Sequence, residues 1–193
     1  MNTSHGISRL ANEGWLLIEG VLSAKEIAAM HTAWDEFEVS ENQTWDVAGK
    51  CEFLPCIESP ILFEFLPALL GDAIKLESLK GRSPKPDYGL QGLHVDTVGP
   101  VKPGEQILAN AFWILDEMSR ENGATRLVPD SHKTYSVPAG NYAQPNGKHP
   151  NEIYISANPG DLLLFSAHLW HSGSRNESGT RRRVVIAQFR RRK

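Results

Sequence analysis

Asp161-Leu-Leu-Leu-Phe165 is the stretch on which the fold turns: one aspartate followed by a short apolar run, 162–165, that reads as a buried strand. Working outward from it, further β-prone runs fall at 90–95, 107–115, 125–128, 153–156 and 182–189, separated by Gly, Pro, Asn and Asp. Many short strands at this spacing predict a sandwich or barrel of antiparallel strands, beginning near Leu76. The Pro-, Gly- and Asn-rich stretch 138–150 is expected to be a long loop bordering a pocket.

Upstream of this region the texture is different. Trp15-Leu-Leu-Ile18 is an apolar run ending at Gly20 and predicts a strand. Ser23 and Glu26 stand at capping-box spacing, in which each side chain satisfies the other's backbone N–H. Ile27, Met30, Trp34 and Phe37 follow at helical spacing and should face a core. A second helix is expected over 61–70, interrupted by Pro67. The chain therefore reads as one mainly β domain over 1–193, with an N-terminal helical part, 1–75, packed on one sheet of a jelly roll, 76–193. It has no internal repeat and no low-complexity segment.

Composition narrows the function classes. The chain has 193 residues, 40% of them hydrophobic, enough for one buried core and short for two. A net charge of -3 and a pI near 6.2 give no bulk argument for nucleic acid or a membrane surface as partner. Basic residues crowd the C-terminus, at Arg181–Arg183 and Arg190–Lys193, and read as a solvated strand end and tail. Cys51 and Cys56 are too few for a disulfide framework or a zinc site and are expected to be free thiols. No apolar run approaches a membrane span, and the opening residues lack the basic start and apolar core of a signal peptide. The expectation is a soluble cytoplasmic protein, monomer or homodimer.

The chemistry is carried by histidines and one aspartate. In His94-Val95-Asp96 the outer two residues point to one face if the segment is extended, so imidazole and carboxylate converge on one ion. A third ligand is needed, and both His168 and His171 follow the 161–165 run. Two histidines and a carboxylate on one face of a metal leave the opposite positions open, which suits iron(II) oxygenases. Arg182, eleven positions after His171, is a cation suited to clamp the distal carboxylate of a dicarboxylic co-substrate. A one-residue slip in register would put Arg181 in its place.

Taken together these segments resemble the phytanoyl-CoA dioxygenase family of Fe(II)- and 2-oxoglutarate-dependent oxygenases. Gln91-Gly-Leu-His-Val-Asp96 is similar to the family's iron-binding turn, and Ala111-Phe-Trp-Ile-Leu-Asp116 with Glu121–His132 to its central segment. Gly160–Phe165, Trp170-His171, Asn176 and Arg182 complete the pattern in order. The resemblance implies a double-stranded β-helix, the cupin-like jelly roll, with His94, Asp96 and His171 as iron ligands. The Trp-His-x-Gly context selects His171 over His168. It further implies Arg182 as the clamp for 2-oxoglutarate, Phe112 on the co-substrate pocket and, by alternation, Asn110 as a further contact. The implied reaction uses Fe(II), 2-oxoglutarate and molecular oxygen to hydroxylate a small-molecule substrate, releasing succinate and carbon dioxide. Asp96 argues against a halogenase, in which a small residue replaces the carboxylate.

Two positions depart from the family pattern. Gly173 stands where a serine often helps hold the co-substrate, flanked by Ser172 and Ser174, so that bond is either missing or remade by a neighbour. Asp130 replaces the glycine of a Pro-Gly-Ser/Thr-His turn, a left-handed position that aspartate tolerates. Asp130 and His132 are read as a structural turn, with a substrate contact as the alternative. Two other functions fit the same residues less well. A cupin-like metal enzyme that does not use 2-oxoglutarate has no need of Arg182, and a catalytically silent binding domain has no need of an intact triad.

Overall fold

A helix the opening residues did not announce begins the chain. In α1 (Thr3–Glu13) the Asn2 side chain accepts the Ser4 N–H, and Gly14, at φ 82°, ends the helix with its N–H on the Leu10 carbonyl. Its apolar stripe amounts to little more than Ile7 and Leu10, too little to show a 3.6-residue period, and its docking rests on fully buried Leu10. The computed structural model describes residues 2–36, 44–97, 102 and 105–192.

β1 (Trp15–Ile18) follows as expected, then α2 (Ala24–Asp35), capped by the Ser23–Glu26 box and burying Met30, Ala33 and Trp34. Phe37, the last member of the expected stripe, lies outside the described residues. β2 (Thr44–Asp46) comes next. The helix expected over 61–70 is instead part of a string of short ones: α3 (Pro55–Glu58), α4 (Pro60–Phe65) and α5 (Pro67–Leu70). Each opens on a proline, whose missing N–H is no loss in a first turn.

The remaining strands are β3 (Ile74–Arg82), β4 (Leu108–Ile114), β5 (Thr125–Leu127), β6 (Ile153–Tyr154), β7 (Leu162–Ser166), β8 (His171–Gly173) and β9 (Val184–Arg191). They form a six-stranded sheet, β1-β7-β4-β9-β3-β2, and a three-stranded sheet, β6-β5-β8, with antiparallel pairing in both. The N-terminal region is thus not only helical, because β1 and β2 are the two outer strands of the large sheet.

Alternation along the strands divides the apolar residues between two cores. Val185, Ala187 and Phe189 of β9 turn toward the helices, with Trp34, Phe53 and Leu66. Val184 and Ile186 turn inward, between the sheets, with Leu163 and Phe165 of β7. This is a mainly β jelly roll with helices over one sheet. Both cysteines are free, Cys51 exposed and Cys56 buried. Among the described residues, no helix is long and apolar enough to cross a membrane.

Two strand expectations need correction. The segment 90–95 is extended but is not a strand: His94 makes a single bridge to His171, while Leu93 turns its N–H to the Tyr142 carbonyl of the 138–150 loop. With hydrogen bonds going to partners on two sides, no ladder runs along it. β3, by contrast, was not foreseen. Lys75, Glu77, Lys80 and Arg82 hide its pattern, and Glu77 is an extra residue between the pairs Leu76–Phe189 and Ser78–Gln188, which breaks the two-residue period.

Candidate metal centre and its cavity

Between the two sheets, at the end marked by Asn110 and Gln188, lies a cavity of about 210 Å³. His94 reaches it from the extended segment, His171 from the first position of β8, and Asp96 from just beyond His94. The bridge between His94 and His171 is closed by reciprocal backbone hydrogen bonds of 2.9 and 3.0 Å, which set the two imidazoles side by side with ring centroids 4.5 Å apart. Asp96 is placed by its N–H on the Ala167 carbonyl, 2.9 Å. One ligand atom from each of His94, Asp96 and His171 lies within 4.8 Å of the others.

The surroundings prepare this trio for a cation. Nδ1 of His94 is 3.0 Å from the Gly92 carbonyl and Nδ1 of His171 is 2.8 Å from that of Leu169. Both rings therefore present Nε2 to the carboxylate, at 3.7 Å for His94 and 3.4 Å for His171. This is the arrangement by which outer hydrogen bonds fix tautomer and orientation in metal-binding histidines. Burial, then the charge of His171, pulls the His94 pKa down, so its ring is neutral at pH 7. Burial alone would raise the Asp96 pKa. The charge and hydrogen bond of His171, the Asn110 amide and His94 outweigh it and hold the carboxyl well below the usual range. A neutral His94 ring beside an ionised Asp96 carboxylate presents both groups in the forms that bind a metal.

Phe112 and Ile186 supply apolar wall, and Phe112 meets Phe165 edge-on, which in turn packs on His171. Arg182, two residues before β9, enters the same cavity at 3% exposure. Its Nε has no hydrogen-bond partner, and burial, then the charge of Arg82, lowers its pKa to about 9. A buried guanidinium left this way is costly unless an anion completes it. Its neighbours do turn elsewhere. Arg183 makes a two-point pair with Asp116, both contacts 2.8 Å, and Arg181 pairs with Asp35 at 3.2 Å on the surface, so the slipped register is not adopted.

Other expectations are redistributed. Asn110 does share the inward face, but it is fully buried behind Asp96, donating from Nδ2 to Oδ2 at 2.7 Å, and does not line the cavity. The corrected reading is a residue that holds the carboxylate. Gln188 assists, donating to Asn110 Oδ1 at 3.1 Å and to Asp96 Oδ2 at 3.4 Å. His168 points away from the trio, with Nδ1 3.0 Å from Gln106 Oε1. Asp130 adopts φ 64° and gives its N–H to Glu13, while the ring of His132 packs on Gly14; both belong to the α1–β1 junction. The 138–150 loop borders a second cavity, with Arg120 and Arg126, rather than this one.

Gly173 has a local reason. A Cβ there would lie 2.5 Å from the Gly89 carbonyl, so a serine does not fit without moving the backbone. Ser174 is committed to the Ala124 carbonyl, and Ser172, on the cavity wall, accepts from Arg126 Nε at 2.8 Å. Gln91 takes the space, with Oε1 3.4 Å from the Gly173 N–H. The sequence reading missed Arg82, Lys80 and Gln188 on the cavity wall. A signal existed for Gln188: it is a polar residue within the apolar run of β9, in step with Ile186. None existed for the other two, because β3 itself was hidden.

Fold and cavity together define a class: a jelly-roll protein with two histidines and an aspartate converging at an open, positively charged pocket. The family model of phytanoyl-CoA dioxygenase (PhyH) matches residues 80–184, more than half of the chain. The chain belongs to that family. Among curated relatives, "Dioxygenase af480" of Aspergillus fumigatus is 24% identical over 215 residues, covering 98% of this chain and 67% of its own length. "Dioxygenase cnsJ" of Penicillium expansum is 32% identical over 125 residues, covering 60% of this chain but only 36% of its own length. Among solved structures, HygX of Streptomyces hygroscopicus, with nickel and 2-oxoglutarate bound, superposes with a TM-score of 0.82 at 16% identity, over 97% of this chain and 86% of that one. The epimerase SnoN, in complex with Fe3+, alpha ketoglutarate and nogalamycin RO, gives 0.79 at 18% identity, over 98% and 83%.

Proposed function

We propose that this cavity is the active site of an Fe(II)- and 2-oxoglutarate-dependent dioxygenase acting on a small molecule. His94, Asp96 and His171 hold the iron, and Arg182 takes the distal carboxylate of 2-oxoglutarate. The single observation that carries the reading is Arg182, a buried guanidinium without a partner at Nε in the same cavity as the metal-type trio. A cupin-like enzyme with no dicarboxylic co-substrate would have no use for it.

When bound, iron would overcome the kinetic inertness of dioxygen, and 2-oxoglutarate would supply two of the electrons that its reduction needs. The chain's own residues do the rest. His94 and His171 present Nε2 to the ion, their rings oriented by the Nδ1 contacts, and Asp96 supplies one negative charge steadied by Asn110. Phe112 and Ile186 give the co-substrate an apolar wall, where the Arg182 charge acts with little screening.

The test is calorimetric titration of 2-oxoglutarate with and without Mn(II), followed by aerobic assay of succinate release with Fe(II). Metal-dependent binding and slow succinate release are expected; absence of both overturns the reading. The proposed outcome is hydroxylation, supported by a product one oxygen atom heavier than the substrate. An isomer of the substrate would instead place the chain with epimerase chemistry.

A further inference from the structure

The inner face of the large sheet carries more positive charge than the co-substrate uses. On β9 and β3, three inward rows run across the ladder: Val184 opposite Arg82, Ile186 opposite Lys80, and Gln188 opposite Ser78. Arg82, Lys80 and Arg182 all line the cavity, and among the described residues the only acid on its wall is Asp96. In the reading above, Asp96 and the co-substrate's inner carboxylate answer the metal's two charges, and its outer carboxylate answers Arg182. Arg82 and Lys80 are then left without an anion. Neither side chain makes a hydrogen bond or ion pair with the described residues.

Arg82 lines the cavity from the row opposite Val184, two rows along the ladder from Gln188. Its charge is felt by His94 at one end and by Arg182 at the other. Burial lowers its own pKa while Asp96 works against the shift, so the guanidinium is held partly out of water without a counter-ion. Lys80, one row away, is exposed, and Thr44 of β2, opposite Arg82, is at the open edge of the sheet. Exposed Lys80 and half-buried Arg82 make a graded positive path inward from solvent, with uncharged Thr44 beside Arg82 at the sheet edge. A negatively charged group entering by this path would lose water gradually and find a fork of donors at its end.

We propose that the primary substrate is an organic anion, its carboxylate or phosphate received by Arg82 with Lys80 at the entrance. This rests on the reading of the cavity as an oxygenase site, and it names the substrate class of that site. The carbon to be oxidised then lies within a short chain's length of the acid group, between Arg82 and the metal trio.

The experiment uses protein loaded with Mn(II) and saturating 2-oxoglutarate, so that the co-substrate site is filled before the probe is added. The probes are benzoate and phenyl phosphate, each against a neutral counterpart, benzamide and benzyl alcohol, measured by calorimetry. At least one anion is expected to bind tenfold or more tightly than its neutral counterpart, and whichever does so separates a carboxylate from a phosphate substrate. Arg82→Gln should weaken that anion at least tenfold, and by a larger factor than it weakens 2-oxoglutarate. Lys80→Gln, at an exposed position that does not threaten folding, should weaken it about threefold. Arg181→Gln, on the outer surface, should change neither affinity. Equal binding of anion and neutral probe overturns the proposal, as does undiminished anion binding by both Arg82→Gln and Lys80→Gln. Equal losses of anion and 2-oxoglutarate in Arg82→Gln also overturn it, by giving Arg82 to the co-substrate. If the unaltered protein fails to bind 2-oxoglutarate at all, it is the oxygenase reading that falls, a result visible before any probe is added.

Discussion

Replacing Asn110 by alanine tests how the metal-type trio is kept in shape. The Asn110 amide donates to Asp96 at 2.7 Å from a fully buried position, so no water is at hand to replace it. A hydrogen bond to a charged group of this kind contributes about 1.5–3 kcal/mol. The loss falls on the ionised carboxylate, the form that binds metal, so metal affinity should drop on the order of 10- to 100-fold. Gln188 contacts the same oxygen at 3.4 Å, too long to compensate, and Gln188→Ala should cost only about threefold. The assay is titration with Mn(II), with cooperative thermal unfolding of each metal-free variant as the check that it is folded. Metal affinity in Asn110→Ala within twofold of the unaltered protein would refute the reasoning. So would a loss in Gln188→Ala as large as in Asn110→Ala.

Four further outcomes follow from the same geometry. Arg182→Met removes a buried charge beside Arg82, so the ligand-free protein should melt about 2–4 °C higher while the rise on adding 2-oxoglutarate with Mn(II) disappears; a fall in the ligand-free melting temperature contradicts this. Arg183→Met removes the two guanidinium bonds to Asp116, which keeps the backbone N–H of residue 183 at 2.8 Å and His31 at 3.4 Å, and should cost about 1.5–3 kcal/mol in urea unfolding without selectively weakening 2-oxoglutarate. His171→Ala should abolish metal binding, whereas His168→Gln should keep it. The buried His168 ring is held neutral, its pKa lowered by burial, then by His132, to about 4 from 6.5. The unfolded chain therefore takes up a proton first as pH falls, and up to about 3 kcal/mol of stability is lost between pH 6.5 and 4. Urea unfolding across that range should show a shallower loss in His168→Gln.

The parts of the fold that were legible in the sequence are those where one physical signal dominates. The 161–165 run is apolar because β7 is covered on both faces, and Ser23 with Glu26 spells its own cap. His94 and Asp96 form a common tripeptide that gained meaning only from the distal segment with His171 and Arg182, and Trp170 distinguished His171 from His168. What stayed hidden depends on partners far along the chain. The segment 90–95 looks like a strand by composition, yet its hydrogen bonds are divided between β8 and the loop at Tyr142. Asn110 was rightly placed on the inward face, but only the tertiary structure shows that Asp96 stands between it and the cavity. Gly173 looked like a lost serine, and the close Gly89 carbonyl that forbids one lies more than eighty residues upstream.

The extra residue in β3 has a consequence for how this protein tolerates insertion and deletion. Upstream of Glu77, Leu76 pairs with Phe189; downstream, Ser78 pairs with Gln188, the next residue along β9. Removing Glu77 would therefore join two stretches that already share one regular ladder, at the expense of its 3.0 Å surface pair with Arg190. Removing a residue between Ser78 and Arg82 would instead rotate part of the cationic wall to the other side of the sheet. The strand thus has a slack point next to a section with no slack. A deletion of Glu77 should leave ligand binding intact, and a deletion of Leu79, only two residues away, should not.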